Sequence, residues 1–581
     1  MRGCTPHRVA LAQGIPGCLV KMAFLLWIIW VLLVYLSSVL ADFHPRPLLL
    51  DSVSEHFASA DLSAPSKVSV ACQATRYPDI CKTTLATDPR SASSDSTALT
   101  QLAIDLGVTG SSRDSTSILQ MKAGEPLDLD TAAGADVCFE SLDYAVSTLT
   151  TARNSLTISP IEDIQAWMSA ALQFQYDCFS GLSNVPNPPA DLMVTILPQV
   201  NSTMQLISIA LSMADALAYY GTDTTLWAPL PEERPQDINA ILKTTNPMWA
   251  KPIDACTSHP PAGTNTPDVT VALDGTGTYS SIQQAVDNAP TYGSMVYIIY
   301  IKSGVYNERI RVHKNKTMIM FLSDGSNQTI ITGSKSASEP GVVTYQTATV
   351  VVLGNGFVAR GITFQNMAGS ESRQAVAVRV DSDLSAFYDC IFDGFQDTLY
   401  AHTGRQFYKS CTIRGTIDFI FGNAAAVFQD CQILFRLREV PGNPTAVVAA
   451  QGRTDPGQTT GLVFQNCTIS ATPEYIQEEL ANPTAHNGFL GRPWKLFSRI
   501  VFVNSFLDSV IEPVGWLAWN GDFALSSLFY GESGSSGPGA VIPSRVAWSN
   551  QLSVEQAGFF SVDTFIQGSR WLPCTSIPYT L

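Results

Sequence analysis

Five times in its second half this 581-residue chain returns to one short string: around Phe387, Phe407, Phe428, Phe464 and Phe502 it reads FYDCIF, FYKSCTI, FQDCQIL, FQNCTIS and FVNSFLD. Each copy is an aromatic residue, a polar pair, a cysteine or serine, then apolar residues. The steps are 20 and 21 residues at first, lengthening to 36 and 38 where insertions such as EVPGNPT and ANPTAHNG intervene. A period this short, with β-branched runs between turn residues, signals a solenoid in which each coil buries its face only against its neighbours. A βαβ arrangement is excluded, because no stretch between Val342 and Gly422 could supply crossover helices of a dozen residues.

Two copies carry an aspartate seven residues after the cysteine: Asp397 follows Cys390, and Asp418 follows Cys411. On adjacent coils, equivalent positions lie about 4.8 Å apart, the spacing of hydrogen-bonded strands. Two carboxylates that close cannot both ionise readily, so one is expected to hold a proton near neutral pH while the other stays anionic. One residue type then provides an acid and a nucleophile. The plain alternative is two loop aspartates on a solvated face.

Length implies more than one domain, and 45% hydrophobic residues supply ample core. The formal net charge is −16, yet residues 265–581 hold 25 acidic and 20 basic side chains, so most of the excess lies in the front half. No basic patch or stripe is apparent, which excludes a nucleic-acid binder. Residues 22–41, MAFLLWIIWVLLVYLSSVLA, follow Arg2, Arg8 and Lys21 and direct the chain into the secretory route, as a cleaved signal peptide or as a membrane anchor. The membrane is a partner only if this leader is retained. Oxidising surroundings then permit disulfides among the ten cysteines beyond it. Asn201, Asn315, Asn327 and Asn466 head glycosylation sequons.

After a polar spacer at 42–67, residues 68–222 change texture. Helical periodicity runs through VCFESLDYAVSTLTTA, IQAWMSAALQFQYDCFSGL and MQLISIALSMADALAYY, which predicts an all-α bundle. Its cysteines are Cys72, Cys81, Cys138 and Cys178, the first two bounding CQATRYPDIC, a loop short enough for a local bridge; four cysteines allow three connectivities. This segment resembles the plant invertase and pectin methylesterase inhibitor domain. The resemblance implies a four-helix bundle held by Cys72–Cys81 and Cys138–Cys178.

Residues 223–264 are a proline-rich linker, and 265–581 form the second domain. There the chain reads DGTGTYSSIQQAVDNAP, GVYNERI, QAVAVRVDSD, GFQDTLYAHTGRQFY, GTIDFIFGNAA, AQGRTDPGQTTG, LGRPWKLFSR and GWLAWNGDFAL. This ordered set resembles plant pectin methylesterase over the whole segment. The resemblance implies a mostly β domain, a right-handed parallel β-helix, which agrees with the coils read from the repeat. It further implies a secreted cell-wall enzyme hydrolysing C6 methyl esters of homogalacturonan, its partner polymer, to methanol and demethylated pectin. Asp418 would be the nucleophile that forms an acyl-enzyme, and Asp397 the proton donor and then the base. Gln396 and Gln374 would stabilise the oxyanion. Thr344, Gln374, Arg492 and Trp494 would contact substrate, with Arg492 also pairing with Asp418 and Trp494 offering a flat surface to a sugar ring. Cys431 and Cys467 match a family bridge, Cys390 and Cys411 are left bridged or free, and a Cys256–Cys574 bond is a further expectation.

The front domain would act as an intramolecular inhibitor, where relatives meet it as a separate protein. Family members with this layout often carry a basic processing site such as Arg-Arg-Leu-Leu; here the linker offers only isolated Arg234, Lys243 and Lys251, which puts cleavage in doubt. His402 reads as structural, since the family chemistry needs no histidine. No G-x-S-x-G elbow occurs, no His or Cys cluster has zinc spacing, and the aspartate pair lacks further carboxylates at its coil position, so neither metal nor cofactor is expected. The competing readings are a β-helix pectate lyase or polygalacturonase, and a non-catalytic pectin-binding or inhibitory protein. Amides beside the acid pair favour ester chemistry, because glycoside cleavage needs no oxyanion donors.

Overall fold

The computed structural model describes residues 66–229, 266–438, 445–482 and 486–581. The leader at 22–41, most of the linker and Cys256 lie outside the described residues.

Two short helices, α1 (Lys67–Gln73) and α2 (Pro78–Thr87), form a hairpin closed by the Cys72–Cys81 disulfide. Four long helices follow: α3 (Ser96–Ala123), α4 (Leu129–Ser155), α5 (Ile161–Ser183) and α6 (Leu197–Tyr220). Asp95 and Asp128 cap α3 and α4 by accepting first-turn backbone N–H groups. Helices α3 and α5 each pack on both α4 and α6, which closes the bundle, and Cys138–Cys178 ties α4 to α5. These two helices meet through glycine: a Cβ on Gly134 would stand 2.5 Å from the Gly181 carbonyl oxygen, so a larger residue would force them apart.

From Val269 the chain winds into coils that feed three parallel sheets of 11, 7 and 8 strands among the described residues. Pairing is in register, so like stacks on like. Phe387, Tyr408, Phe428, Phe464 and Phe502 stand opposite one another on successive coils, and their rings stack at centroid separations of 5.0, 4.5, 4.8 and 4.5 Å. This ladder is the physical meaning of the repeat. The second copy differs from the reading centred on Phe407: Tyr408, three residues before its cysteine like the other rings, enters the stack, while Phe407 packs on the opposite face with Ile566 and Trp571.

Cys138–Cys178 and Cys72–Cys81 pair as expected, but the Cys431–Cys467 bridge is absent: both are buried thiols, as are Cys390 and Cys411. In-register stacking explains it. Equivalent Cβ atoms sit about one strand spacing apart, roughly 4.8 Å, whereas a disulfide draws them to about 3.8 Å. Each thiol instead donates to a carbonyl of the preceding coil, Cys431 to Tyr408 at 3.4 Å and Cys467 to Phe428 at 3.3 Å. Cys574 is disulfide-bonded.

The seven-stranded sheet turns one row of side chains outward. Register places Arg311, Val351, Arg379, Tyr400, Phe421, Ala450 and Arg492 side by side across its strands. Helices α4 and α5 lie on this row, and Val137, Tyr144, Ala170 and Phe174 join Tyr400, Phe421 and Trp494 in one apolar cluster. The described parts of bundle and coils accordingly fall in one compact unit.

Candidate active site

Asp397 and Asp418 each take a left-handed backbone conformation, φ 64° and 51°, two residues before the strands Leu399–Ala401 and Ile420–Gly422. Aspartate tolerates this region better than most residues. Leu399 stands opposite Ile420, and the Asp397 N–H donates to the Ile417 carbonyl at 3.1 Å, so the two carboxyl groups occupy equivalent places on neighbouring coils. Both are more than 90% buried.

Their environments push them apart electrostatically. Burial raises Asp397 well above the carboxylate range, the Asp418 charge raises it further, and Arg492 only partly opposes this. Burial also raises Asp418, but Arg492 pulls it down: its Nε donates to Oδ1 at 2.8 Å and its Nη2 to Oδ2 at 2.5 Å. The fork holds both oxygens of one aspartate and neither of the other. Burial leaves both carboxyls raised, but Asp397 well above Asp418, because only Asp418 has the Arg492 fork against it; of the two, Asp397 is the better proton holder and Asp418 the better anion.

Gln374 and Gln396 lie on neighbouring coils, joined through the Ala375 N–H and the Gln396 carbonyl at 3.1 Å. Both side chains are half-buried, and neither amide has a hydrogen-bond partner among the described residues, which leaves donors free beside the acid pair. Thr344 opens a one-turn helix, Thr344–Gln346, one coil earlier. Trp494 sets its ring edge-on to Tyr400 and Phe421, at 6.4 and 5.9 Å. Asp397, Asp418 and Arg492 thus come together, the two glutamines precede strands of the same sheet on neighbouring coils, and Trp494 meets Tyr400 and Phe421 along the groove face of the seven-stranded sheet.

A family model described as Pectinesterase matches residues 268–569, and one described as Plant invertase/pectin methylesterase inhibitor matches 66–213. The chain is 41% identical over 523 residues to "Probable pectinesterase/pectinesterase inhibitor 64" of Arabidopsis thaliana, covering 88% of this chain and 85% of that one. This chain belongs to the pectinesterase family. "Pectinesterase 2" of Citrus sinensis is 40% identical, with 89% and 95% covered. The solved pectin methylesterase from carrot, 46% identical with a TM-score of 0.53, matches 55% of this chain and 99% of its own length. The coiled part of this pectinesterase therefore corresponds to a fold that stands without a bundle.

Sequence reasoning passed over the contacts by which the bundle sits on the pectinesterase groove. His402, fully buried, has Nε2 2.8 Å from Asp177 on α5 and Nδ1 3.0 Å from Asp381. Burial alone would lower its pKa, but the two carboxylates overcome this and raise it to about 9, so it is a cation at neutral pH. Glu140 on α4 pairs with Arg311 at 2.7 Å and Arg379 at 3.3 Å, and Asp163 on α5 pairs with Arg405 at 2.6 Å and Arg570 at 2.8 Å. One pair runs the other way, Arg76 to Asp455 at 2.6 Å. The bundle is thus mainly the acidic partner on a basic face. The groove floor did leave a trace: Tyr400 and Phe421 each follow their aspartate by three residues. Trp519, whose ring centroid is 4.3 Å from the Arg492 guanidinium carbon, lay within the string GWLAWNGDFAL but was not singled out there.

Proposed function

We propose that this pectinesterase cleaves the C6 methyl esters of homogalacturonan through an acyl-enzyme on Asp418. The Asp418 carboxylate attacks the ester carbonyl carbon, and the negative charge that gathers on the carbonyl oxygen is met by the Gln374 and Gln396 amides. Asp397 gives its proton to the departing methoxy oxygen, releasing methanol. Water then attacks the acyl-enzyme, Asp397 takes its proton, and Asp418 is regenerated with a galacturonate product. Arg492 keeps the nucleophile ionised and aimed, while Trp494 and Thr344 hold the sugar chain.

The observation that carries this reading is the asymmetric grip of Arg492 on one member of an in-register, buried aspartate pair. Lyase and glycosidase chemistry give no use to free amides beside such a pair. Methanol release from highly methylated pectin by residues 265–581 tests it. Asp397→Asn should lower the rate by roughly 10²–10⁴-fold; an unchanged rate removes Asp397 from the mechanism.

The bundle is the enzyme's own inhibitor in this reading. It lies on Tyr400, Phe421 and Trp494, the surface a sugar chain would need. The full-length chain should then release methanol more slowly than residues 265–581, and equal rates would end the inhibitory role. The site of action is the cell wall, reached through the apolar leader.

A further inference from the structure

The chain leaves one coil at Asn366, the last residue of the strand Thr363–Asn366, and rejoins the next at Val376, just before the strand Val378–Val380. The excursion between them carries Gln374 to the groove. Its backbone is strained immediately before that residue: Arg373 is exposed and takes φ 60°, a left-handed conformation that long side chains rarely adopt and that persists only where the surroundings impose it. Gln374, Ala375 and Val376 are pinned one after another. The Gln374 carbonyl accepts from the Ala337 N–H at 2.9 Å, the Ala375 N–H donates to the Gln396 carbonyl at 3.1 Å, and the Val376 N–H donates to Thr347 Oγ1 at 3.0 Å. A buried side chain closes the base. Asn366 is fully enclosed, and its Nδ2 donates to the Val376 carbonyl at 3.0 Å and to the Lys335 carbonyl at 2.9 Å, while its Oδ1 accepts from the Ala368 N–H at 3.1 Å. One amide thus joins both ends of the excursion to each other and to the preceding coil.

We propose that Asn366 is a positioning residue for the esterase reaction, acting through Gln374. The inference rests on the reading of Gln374 as an oxyanion donor. A donor stabilises a developing charge best when it already points to where the oxygen will be, because reorienting it during the reaction costs the energy it would supply. The Gln374 amide has no hydrogen-bond partner to aim it among the described residues, so its direction comes from the backbone beneath it. That backbone is the strained turn whose base Asn366 staples. Asparagine suits the place: its amide hydrogens meet two carbonyls and its oxygen meets one N–H. Aspartate would set an acceptor against the Val376 and Lys335 carbonyls, leaving buried groups without donors. Thr347 reinforces the same base, its hydroxyl accepting from Val376 and donating to the Thr344 carbonyl at 2.8 Å, which couples the oxyanion arm to the turn that carries Thr344.

Methanol release by residues 265–581, the part whose fold stands alone in the carrot enzyme, tests this in a double-mutant cycle of Asn366→Asp and Gln374→Ala. Asn366→Asp should lower kcat by about 10–100-fold, keep KM within about twofold and leave both limbs of the pH profile in place, because neither aspartate of the pair is touched. Added to Gln374→Ala, it should cost less than about a further threefold, since the arm it aims is gone. An unchanged kcat overturns the proposal, as does a loss confined to KM, or the full loss repeated in the Gln374→Ala background, which would make Asn366 a matter of folding alone. If Asn366→Asp yields no folded protein, Thr347→Val cuts the neighbouring tie and carries the same cycle with the same outcomes. The two readings stay apart: Gln374→Ala at the full rate removes the oxyanion role itself, whereas a slow Gln374→Ala beside a fast Asn366→Asp removes only the positioning.

Discussion

The bundle and the coils solve the same problem, burying a core, in opposite ways. The bundle places four helices at close range, lets glycines meet at Gly134 and Gly181, and fastens non-equivalent positions with disulfides. The coils use strict repetition, so that Phe387 lies on Tyr408, Tyr408 on Phe428 and so on along the axis. Repetition fixes the distance between equivalent atoms at one strand spacing. That distance suits stacked rings and a pair of carboxyls sharing one proton, and it is too long for a disulfide. The same spacing that keeps Cys431 and Cys467 as thiols sets Asp397 and Asp418 against each other.

The sharpest division between the halves is chemical. Asp418→Ala should cut methanol release from residues 265–581 by at least about 10⁴-fold and leave the bundle's unfolding in the full-length chain unchanged; an effect on both would mean the halves are not separable. Phe428→Ala, in the middle of the ring ladder, should destabilise the coils by about 3–5 kcal/mol in denaturant titrations. Replacing Cys138 and Cys178 together by serine should weaken the bundle by about 3–4 kcal/mol, against about 1 kcal/mol for Cys431→Ala in the coils. Equal losses would erase the contrast between clasp and stack.

The junction adds a pH dependence of at most about 3 kcal/mol. The His402 pKa rises from an ordinary 6.5 to about 9 when it is enclosed by Asp177 and Asp381, with Arg379, Tyr345 and Tyr400 around it. A raised value stabilises the enclosed state fully below about pH 6.5 and ceases to do so as pH climbs through about 9. The thermal midpoint of the full-length chain should fall over that window, and His402→Gln should flatten the fall. Smallest of all, Arg492→Gln should move the acidic limb of the kcat/KM profile of residues 265–581 to higher pH, because burial raises Asp418 and the guanidinium is what opposes that rise.

Periodic parts were readable in the sequence because the fold itself is periodic: the cysteine spacing alone located the coils and aligned Asp397 with Asp418. Helix α3 was harder. It buries Leu99, Leu102, Ala103 and Ile104 in its first half, but then Gly107, Gly110, Ser111 and Asp114, so the apolar stripe breaks off midway. Aromatic pairs mislead locally, as Phe407 and Tyr408 did, since period and not ring type decides which one turns inward. The partnerships of Glu140, Asp163 and Asp177 could not be read, because their cations lie more than 150 residues away with no spacing rule to connect them. The amides at Gln374 and Gln396 came from family resemblance, since nothing in their own neighbourhood marks them.

The in-register winding also governs how such a chain can change length. A deletion or duplication of one whole turn elsewhere along the axis merely shortens or lengthens the rod and keeps every ring on a ring. An extra turn inserted between residues 397 and 418 would move the two carboxyls from adjacent floors to alternate ones, doubling their separation, and deleting the turn between them would remove one of the pair. Evolution can trim this molecule by the storey, but one particular storey height is not negotiable.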